Sequence, residues 1–211
     1  PVRFISNRSS GKMGYALAEA AQARGAQVVL VTGPTGLPAP RGIEVVAVAT
    51  AEEMLKALSA RLAWSTTVIM AAAVADFRPA HPTVQKLKKE GRTGQTIDLE
   101  RTTDILASLS AHRTTQLMVG FAAETSDLIG HAKGKLTAKG LDLIVANDVT
   151  LEGAGFGSDR NAATLIDRQG VITELPLMPK RTLADAILNR AHELLLTRKL
   201  SQAPKPVAGG R

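Results

Sequence analysis

At 211 residues, 45% of them hydrophobic, the chain is sized for one large domain with a real core, since domains run on the order of 150 residues. Twenty-six Lys and Arg against 19 Asp and Glu leave a formal charge of +7, which favours anionic partners as a class: nucleotides, phosphorylated metabolites, nucleic acid or acidic lipid. The absence of cysteine excludes disulfides, thiolate-ligated metals and a thiol nucleophile.

Along the chain, Gly14 to Arg24 is a run of good helix formers stopped by Gly25, a residue free to take the positive φ of a C-terminal cap. QVVLVTG, 27–33, reads as a short buried strand, followed by a Pro/Gly loop through Gly42. Thr50 and Glu53 have capping-box spacing ahead of a second amphipathic helix. TVIMAAAVAD, 67–76, does not alternate polar and apolar residues and so predicts a strand buried on both faces. QLMVGFAA (116–123), a helix over Asp127–Lys139 and LDLIVAN (141–147) continue the alternation, which predicts a doubly wound, mostly parallel, Rossmann-like α/β sheet.

The pattern then changes. AATLID (162–167), a Gln169-Gly170 turn and 171–177 predict an antiparallel hairpin. Thr182 is expected to cap a long final helix whose apolar stripe is Leu183, Ile187, Ala191 and Leu194 or Leu195. Residues 79–95, with Lys86, Lys88, Lys89 and Arg92, are the least core-like internal segment and are expected to form a mobile flap, while 201–211 read as a flexible tail. The longest apolar run, Val68 to Ala75, falls far short of the roughly 20 residues that cross a bilayer. The start, PVRFISNRSS, lacks the basic and apolar segments of an export signal. A cytoplasmic location is expected, and a start at Pro1 is expected of a domain cut from a longer chain.

Three segments carry candidate chemistry. Asn7 to Gly14 is a small-residue loop running into a helix, where backbone N–H groups and the helix dipole can cradle a phosphate; Ser9, Ser10, Gly11 and Gly14 form it. A tight turn explains the same composition equally well, and neither the Walker spacing nor a full dinucleotide fingerprint is present. Ala71 to Asp76 ends a buried strand in tiny residues and a carboxylate, the place where open α/β sheets bind ligands. Asp76 suits a ribose hydroxyl or magnesium, and equally a plain cap on the next segment. Lys86 to Lys89 offers several cations to a triphosphate, although most charge runs are merely solvated faces. The histidines, His81, His112, His131 and His192, show no metal-ligand spacing, and no nucleophile elbow appears.

Taken in order, these segments resemble phosphopantothenate–cysteine ligase. Asn7 to Gly14 is similar to that family's Asn-x-Ser-Ser-Gly-x-x-Gly loop, Ala72 to Asp76 to its Ala-Ala-Val-Ala-Asp strand end, and Lys86 to Lys89 to its Lys-Ile-Lys-Lys flap. Asp104-Ile105, Val119 to Thr125, Asp142 to Asp148 and Phe156 to Asn161 follow in family order. The resemblance runs from Pro1 to about Leu200, so one ligase domain over 1–200 is expected. Leu87 replaces the family's Ile and Thr103 its Pro, and the family's first strand and Gly/Thr-rich turn lie ahead of the position of Pro1.

What the resemblance implies is a reaction in two stages. The carboxylate of 4′-phosphopantothenate attacks the α-phosphorus of CTP to give an acyl-cytidylate and pyrophosphate, and the amine of L-cysteine then displaces CMP. Lys86 would stabilise charge in the first stage and Asn7 would hold the acyl carbonyl in the second. Met70, Ala71, Ala72, Asp76, Lys86, Thr103, Asp104, Ile105, Leu106, Phe121, Lys135 and Lys139 would line the nucleotide site. Mg2+ would accompany the triphosphate, with its protein contacts unassigned; FMN would belong only to a fused or associated decarboxylase domain. A homodimer is implied, without nucleic acid or membrane as partner. Two other readings stand beside this one. A Rossmann-type NAD(P) reductase rests on the α/β alternation, and a non-enzymatic nucleic-acid binder rests on the net charge, although only six residues are aromatic (one Trp, one Tyr, four Phe).

Overall fold

The computed structural model describes residues 4–83, 94, 96–124, 127–148 and 157–202. Helix α1 (Lys12–Ala23) follows the Asn7 loop and ends ahead of Gly25, whose φ of 82° is the left-handed conformation expected there. Strands β1 (Val29–Thr32) and β2 (Glu44–Ala47) pair in parallel; β2 was not foreseen. Helix α2 (Ala51–Ser59) opens with the expected capping box, Thr50 Oγ1 accepting from Glu53 N at 3.1 Å while Glu53 Oε2 accepts from Thr50 N at 3.3 Å. Strand β3 (Thr67–Met70) precedes β4 (Phe77–Pro79) and β5 (Leu99–Arg101), an antiparallel pair. Next come α3 (Ile105–His112), β6 (Leu117–Glu124), α4 (Leu128–Ala138) and β7 (Leu143–Asp148). Strands β8 (Arg160–Asp167) and β9 (Ile172–Pro179) form the expected antiparallel hairpin, and the following helix α5 (Lys180–Gln202) takes in the first two residues of the 201–211 segment expected as a flexible tail, the rest of which lies outside the described residues.

The main sheet has the order β3-β6-β7-β8-β9, parallel from β3 to β7 and antiparallel beyond. This is the mixed α/β, Rossmann-like sheet that the alternation predicts. Side chains of the central strands divide between its two faces, as a pleat requires. Leu117, Val119, Leu143, Val145, Ala163 and Leu165 meet Leu17 and Ala20 of α1 and Leu183, Ala184, Ile187 and Ala191 of α5. Met118, Ala122, Ile144, Ala146 and Ile166 meet α2, α3 and α4 through Met54, Leu106, Leu109, Ala132 and Leu136. The stripe expected on the final helix is therefore the one that it buries. No helix among the described residues is long and apolar enough to cross a membrane.

Three expectations need correction. The 27–33 strand is only Val29–Thr32, half-buried, and pairs with β2 in a separate two-stranded sheet. The 67–76 strand is only Thr67–Met70, and those four residues are half-buried rather than buried on both faces. β3 is an edge: it bonds β6 on one side, and among the described residues nothing pairs with its other side, because β1 and β2 form a separate sheet. Beyond Met70 the backbone carbonyls leave the ladder and take side-chain and loop donors instead. Thr182, expected as a cap, lies inside the first turn of α5. β9 passes directly into this helix, and the N–H of Lys180 finds its acceptor in the carbonyl of Asp159, at 2.9 Å, rather than in a capping side chain.

Candidate active site

The carboxyl ends of β3, β6 and β7 define one edge of the parallel sheet, and three of the expected motifs converge on it. Gly11 stands at the N-cap of α1 with φ 74° and no capping side chain. A Cβ there would lie 2.7 Å from Thr35 Cγ2, so both the backbone conformation and the contact with the 33–37 loop require glycine. At Gly14, in the first turn, a Cβ would meet nothing within 4 Å among the described residues. The space beside the helix start is open to a ligand, and the positive end of the helix dipole faces it. Ser9 Oγ accepts from Gly11 N at 3.3 Å and Ser10 Oγ stands 3.5 Å from Lys12 N, contacts that shape the loop without closing the helix end.

Asn7 ties this loop to the exit of β3, its Nδ2 donating to the carbonyl of Val74 at 3.0 Å. The next two carbonyls are taken from the opposite side: Thr102 Oγ1 donates to Ala75 O at 2.6 Å and Thr102 N to Asp76 O at 2.9 Å. The Ala71–Asp76 segment is thereby held between the glycine loop and the start of α3, with Ala72 and Asp76 exposed. Met70 and Ala71 are half-buried and pack on opposite faces of the sheet. Thr102 was not singled out from the sequence, where only its neighbour Thr103 was placed in the site.

Asp104 caps α3, accepting from Ala107 N at 3.0 Å, and pairs with Lys139 Nζ at 3.1 Å. Burial works against ionisation of this carboxyl, but the Ala107 N–H and the Lys139 ammonium outweigh it and hold the group below its ordinary value. Lys139 is the C-cap of α4, and its side chain places a cation at the first turn of α3. Lys135 is exposed on the last turn of α4. Thr103 is exposed, while Ile105 and Leu106 are buried at 3% and 7%, so these two can offer a ligand only their backbone. Phe121, half-buried, packs on the α1–α5 side of β6.

Asn147 joins the candidates for a different reason. It ends β7 at the same edge of the sheet, opposite Ala123 of β6, and its Oδ1 is buried without a hydrogen-bond partner among the described residues. An acceptor left in that condition costs about 1–3 kcal/mol, so the position suits a donor brought by a ligand. In the sequence it stood within the Asp142–Asp148 stretch of the family resemblance, as an amide near the end of an otherwise apolar strand, and was not placed in the site. Lys86 and the rest of the 84–93 segment lie outside the described residues; β4 and β5, which flank it, are bridged by Arg78 Nε and Glu100 Oε1 at 2.8 Å. Among the described residues no three His, Asp or Glu side chains gather as a metal site.

Comparison with known proteins finds relatives over nearly the whole length of the chain. A family model described as DNA/pantothenate metabolism flavoprotein C-terminal domain matches residues 1–195. The coenzyme A biosynthesis bifunctional protein CoaBC of Bacillus subtilis (strain 168) is 49% identical over 189 residues, covering 89% of this chain and 46% of that protein. Its namesake in Vibrio parahaemolyticus serotype O3:K6 (strain RIMD 2210633) is 47% identical over 197 residues, covering 92% and 49%. The chain thus spans about half the length of these relatives. A crystal structure of the C-terminal domain of a CoaBC protein superposes with a TM-score of 0.79 at 41% identity, covering 93% of this chain and 89% of that one. With a family model matched over residues 1–195 and a fold shared at 41% identity with the C-terminal domain of a CoaBC protein, the chain belongs to the DNA/pantothenate metabolism flavoprotein C-terminal domain family.

Proposed function

We propose that the chain ligates 4′-phosphopantothenate to L-cysteine at the expense of CTP, through an acyl-cytidylate. The observation that carries this reading is the tie between Asn7 and Val74. It brings a helix start suited to phosphate against a strand exit suited to a nucleotide, the two parts that acyl activation needs side by side.

In the first stage a carboxylate oxygen bonds to the α-phosphorus and pyrophosphate leaves. The open first turn of α1 and the flap lysine Lys86 would stabilise charge on the phosphates, each charge-assisted hydrogen bond contributing on the order of 1.5–3 kcal/mol. Magnesium would arrive with the triphosphate and improve its leaving group; without a carboxylate cluster among the described residues, the phosphate oxygens are its natural ligands. In the second stage the cysteine amine attacks the acyl carbon, CMP leaves, and the amine gives up a proton. One hydrogen of Asn7 Nδ2 is engaged by Val74 and the other remains to polarise the acyl carbonyl. Met70, Ala71, Ala72, Asp76, Thr103, Asp104, Ile105, Leu106, Phe121, Lys135 and Lys139 remain the proposed nucleotide lining, to which Asn147 is added.

A homodimer is also proposed. Phe77, Pro79 and Leu99 share one face of the β4–β5 arm with Arg101, and Phe77 and Leu99 there are 45% and 46% exposed. A fused or associated flavin decarboxylase would hold any FMN. The test is incubation with phosphopantothenate, magnesium, cysteine and each nucleoside triphosphate in turn. Pyrophosphate and CMP should appear with CTP, and no release from any triphosphate would remove the reading.

A further inference from the structure

We propose that Lys12 and Lys180 are positioning residues for this reaction, clamping the 157–159 segment from two sides and through it fixing the first turn of α1 and the Asn7 loop. The proposal rests on the ligase reading for its kinetic consequence and on geometry alone for its structural one.

Lys12 is the first residue of α1, at the mouth of the phosphate loop, yet its ammonium turns away from that loop. Nζ donates to Gly157 O at 2.8 Å and to Asp159 Oδ1 at 2.7 Å. Lys180, the first residue of α5, donates Nζ to Ser158 O, and its backbone N–H goes to Asp159 O at 2.9 Å. Three successive carbonyls, those of Gly157, Ser158 and Asp159, are therefore held by two lysines that open two different helices. The arrangement crosses the sheet edge: Asn7 fastens one end of the loop at the exit of β3, and Lys12 fastens the other at the entry to β8.

Two features argue that position, rather than stability, is what the clamp provides. Helix starts are ordinarily fixed by a capping side chain that occupies the free N–H groups. Gly11 has none, so α1 is fixed from outside and its end stays open to an anion. Lys180 is only 8% exposed, and its ammonium is held below its ordinary range by burial first and by nearby Lys12 second, with Asp159 opposing. Burying a cation carries a desolvation cost that a neutral side chain would not. A lysine at that position makes sense if the carbonyl of Ser158 has to be held in place.

The test compares Lys12→Met, Lys180→Met, the double variant and Lys12→Arg. Each methionine variant should raise KM for the nucleotide about tenfold, the effect of one charge-assisted hydrogen bond, with kcat for pyrophosphate release changed less than about threefold. The double variant should be little worse than the worse single one, because both lysines act on one segment, and Lys12→Arg should restore KM. Hydrogen exchange without nucleotide should show faster exchange at amides 12–15 in every methionine variant. Multiplying KM effects in the double variant, an unchanged KM, or unchanged exchange at 12–15 would each overturn the clamp. If the unaltered protein turns over no triphosphate, the ligase reading has failed, and exchange alone decides the clamp. Should Lys180→Met not fold, Lys12→Met against Lys12→Arg decides the same question, since the Lys12 side chain is 32% exposed.

Discussion

The side-chain amide of Asn7 donates to the backbone carbonyl of Val74, 67 positions further along the chain and 3.0 Å away. A carboxylate at this position can donate neither to Val74 nor to an acyl oxygen. Asn7→Asp is therefore expected to slow amide formation by on the order of 10²–10³, the usual effect of losing one donor to a developing oxyanion. Pyrophosphate release also loses the Asn7–Val74 tie that seats the phosphate loop against the strand exit, so it should fall too, but by no more than about tenfold, the effect of one hydrogen bond. Rapid-quench measurement of CMP and pyrophosphate separates the stages, and equal loss in both would contradict the role given to Asn7.

Much of this architecture was legible because it follows from local rules. The Thr50/Glu53 box, the stop at Gly25 and the turn at Gly170, with φ 87°, are decided by a few neighbouring residues, and each appears where expected. The parallel run of β3, β6 and β7 and the antiparallel hairpin beyond it agree with the alternation of apolar strands with helices and with the Gln169-Gly170 turn. What escaped depends on distant partners. Glu44–Ala47 is a four-residue strand whose parallel partner, β1, lies beyond a Pro/Gly loop. The 67–76 run is uniformly apolar, which signals burial but not where the ladder ends; that is set by Asn7 and Thr102 capturing the carbonyls of 74 and 75. In the site, the glycine loop and the alanine-rich strand end were visible as composition. The partner of Lys139, the Asn147 acceptor without a partner among the described residues and the reach of Lys12 to Gly157 and Asp159 depend on residues far apart in the chain, and no local pattern signals them.

The Asp104 carboxyl sets a pH dependence. Its value in the fold lies below the ordinary 3.8, so its contribution to stability is fully present above that value and is lost as the pH falls through the lower, folded one. Asp104→Asn should keep the cap of α3 but flatten this part of the acid limb, whereas Asp104→Ala should also lose about 1 kcal/mol at neutral pH through the missing cap. Urea denaturation at a series of pH values distinguishes the two. An unchanged acid limb in Asp104→Asn would show that the Lys139 pair contributes nothing.

Burial of the arm's apolar face in a second copy would be undone by polar residues there. Phe77→Ser with Leu99→Ser is expected to convert a dimer to a monomer by light scattering, while the opposite face, with Arg78 and Glu100 at 2.8 Å, is left intact. A monomeric unaltered protein would dispose of the homodimer, and a dimer insensitive to both changes would move the interface elsewhere.

The amino edge of the sheet offers the contrasting case, in which charge serves the fold rather than the chemistry. Asp142, with its side chain 5% exposed, precedes β7 and accepts from Met118 N at 2.9 Å, from Arg198 of α5 at 2.6 Å and from Arg113. One carboxylate thus joins the final helix, the turn after α3 and the backbone of β6. Asp142→Ala would leave a buried N–H and three arginines, Arg113, Arg168 and Arg198, without this counter-charge, which typically costs about 3–5 kcal/mol. The midpoint of urea unfolding should fall accordingly, with KM for the nucleotide unchanged in the protein that remains folded, because the site is at the other end of the strands. A raised KM with an unchanged midpoint would mean that the two edges are coupled, and that supporting charges and reacting ones are not separate in this fold.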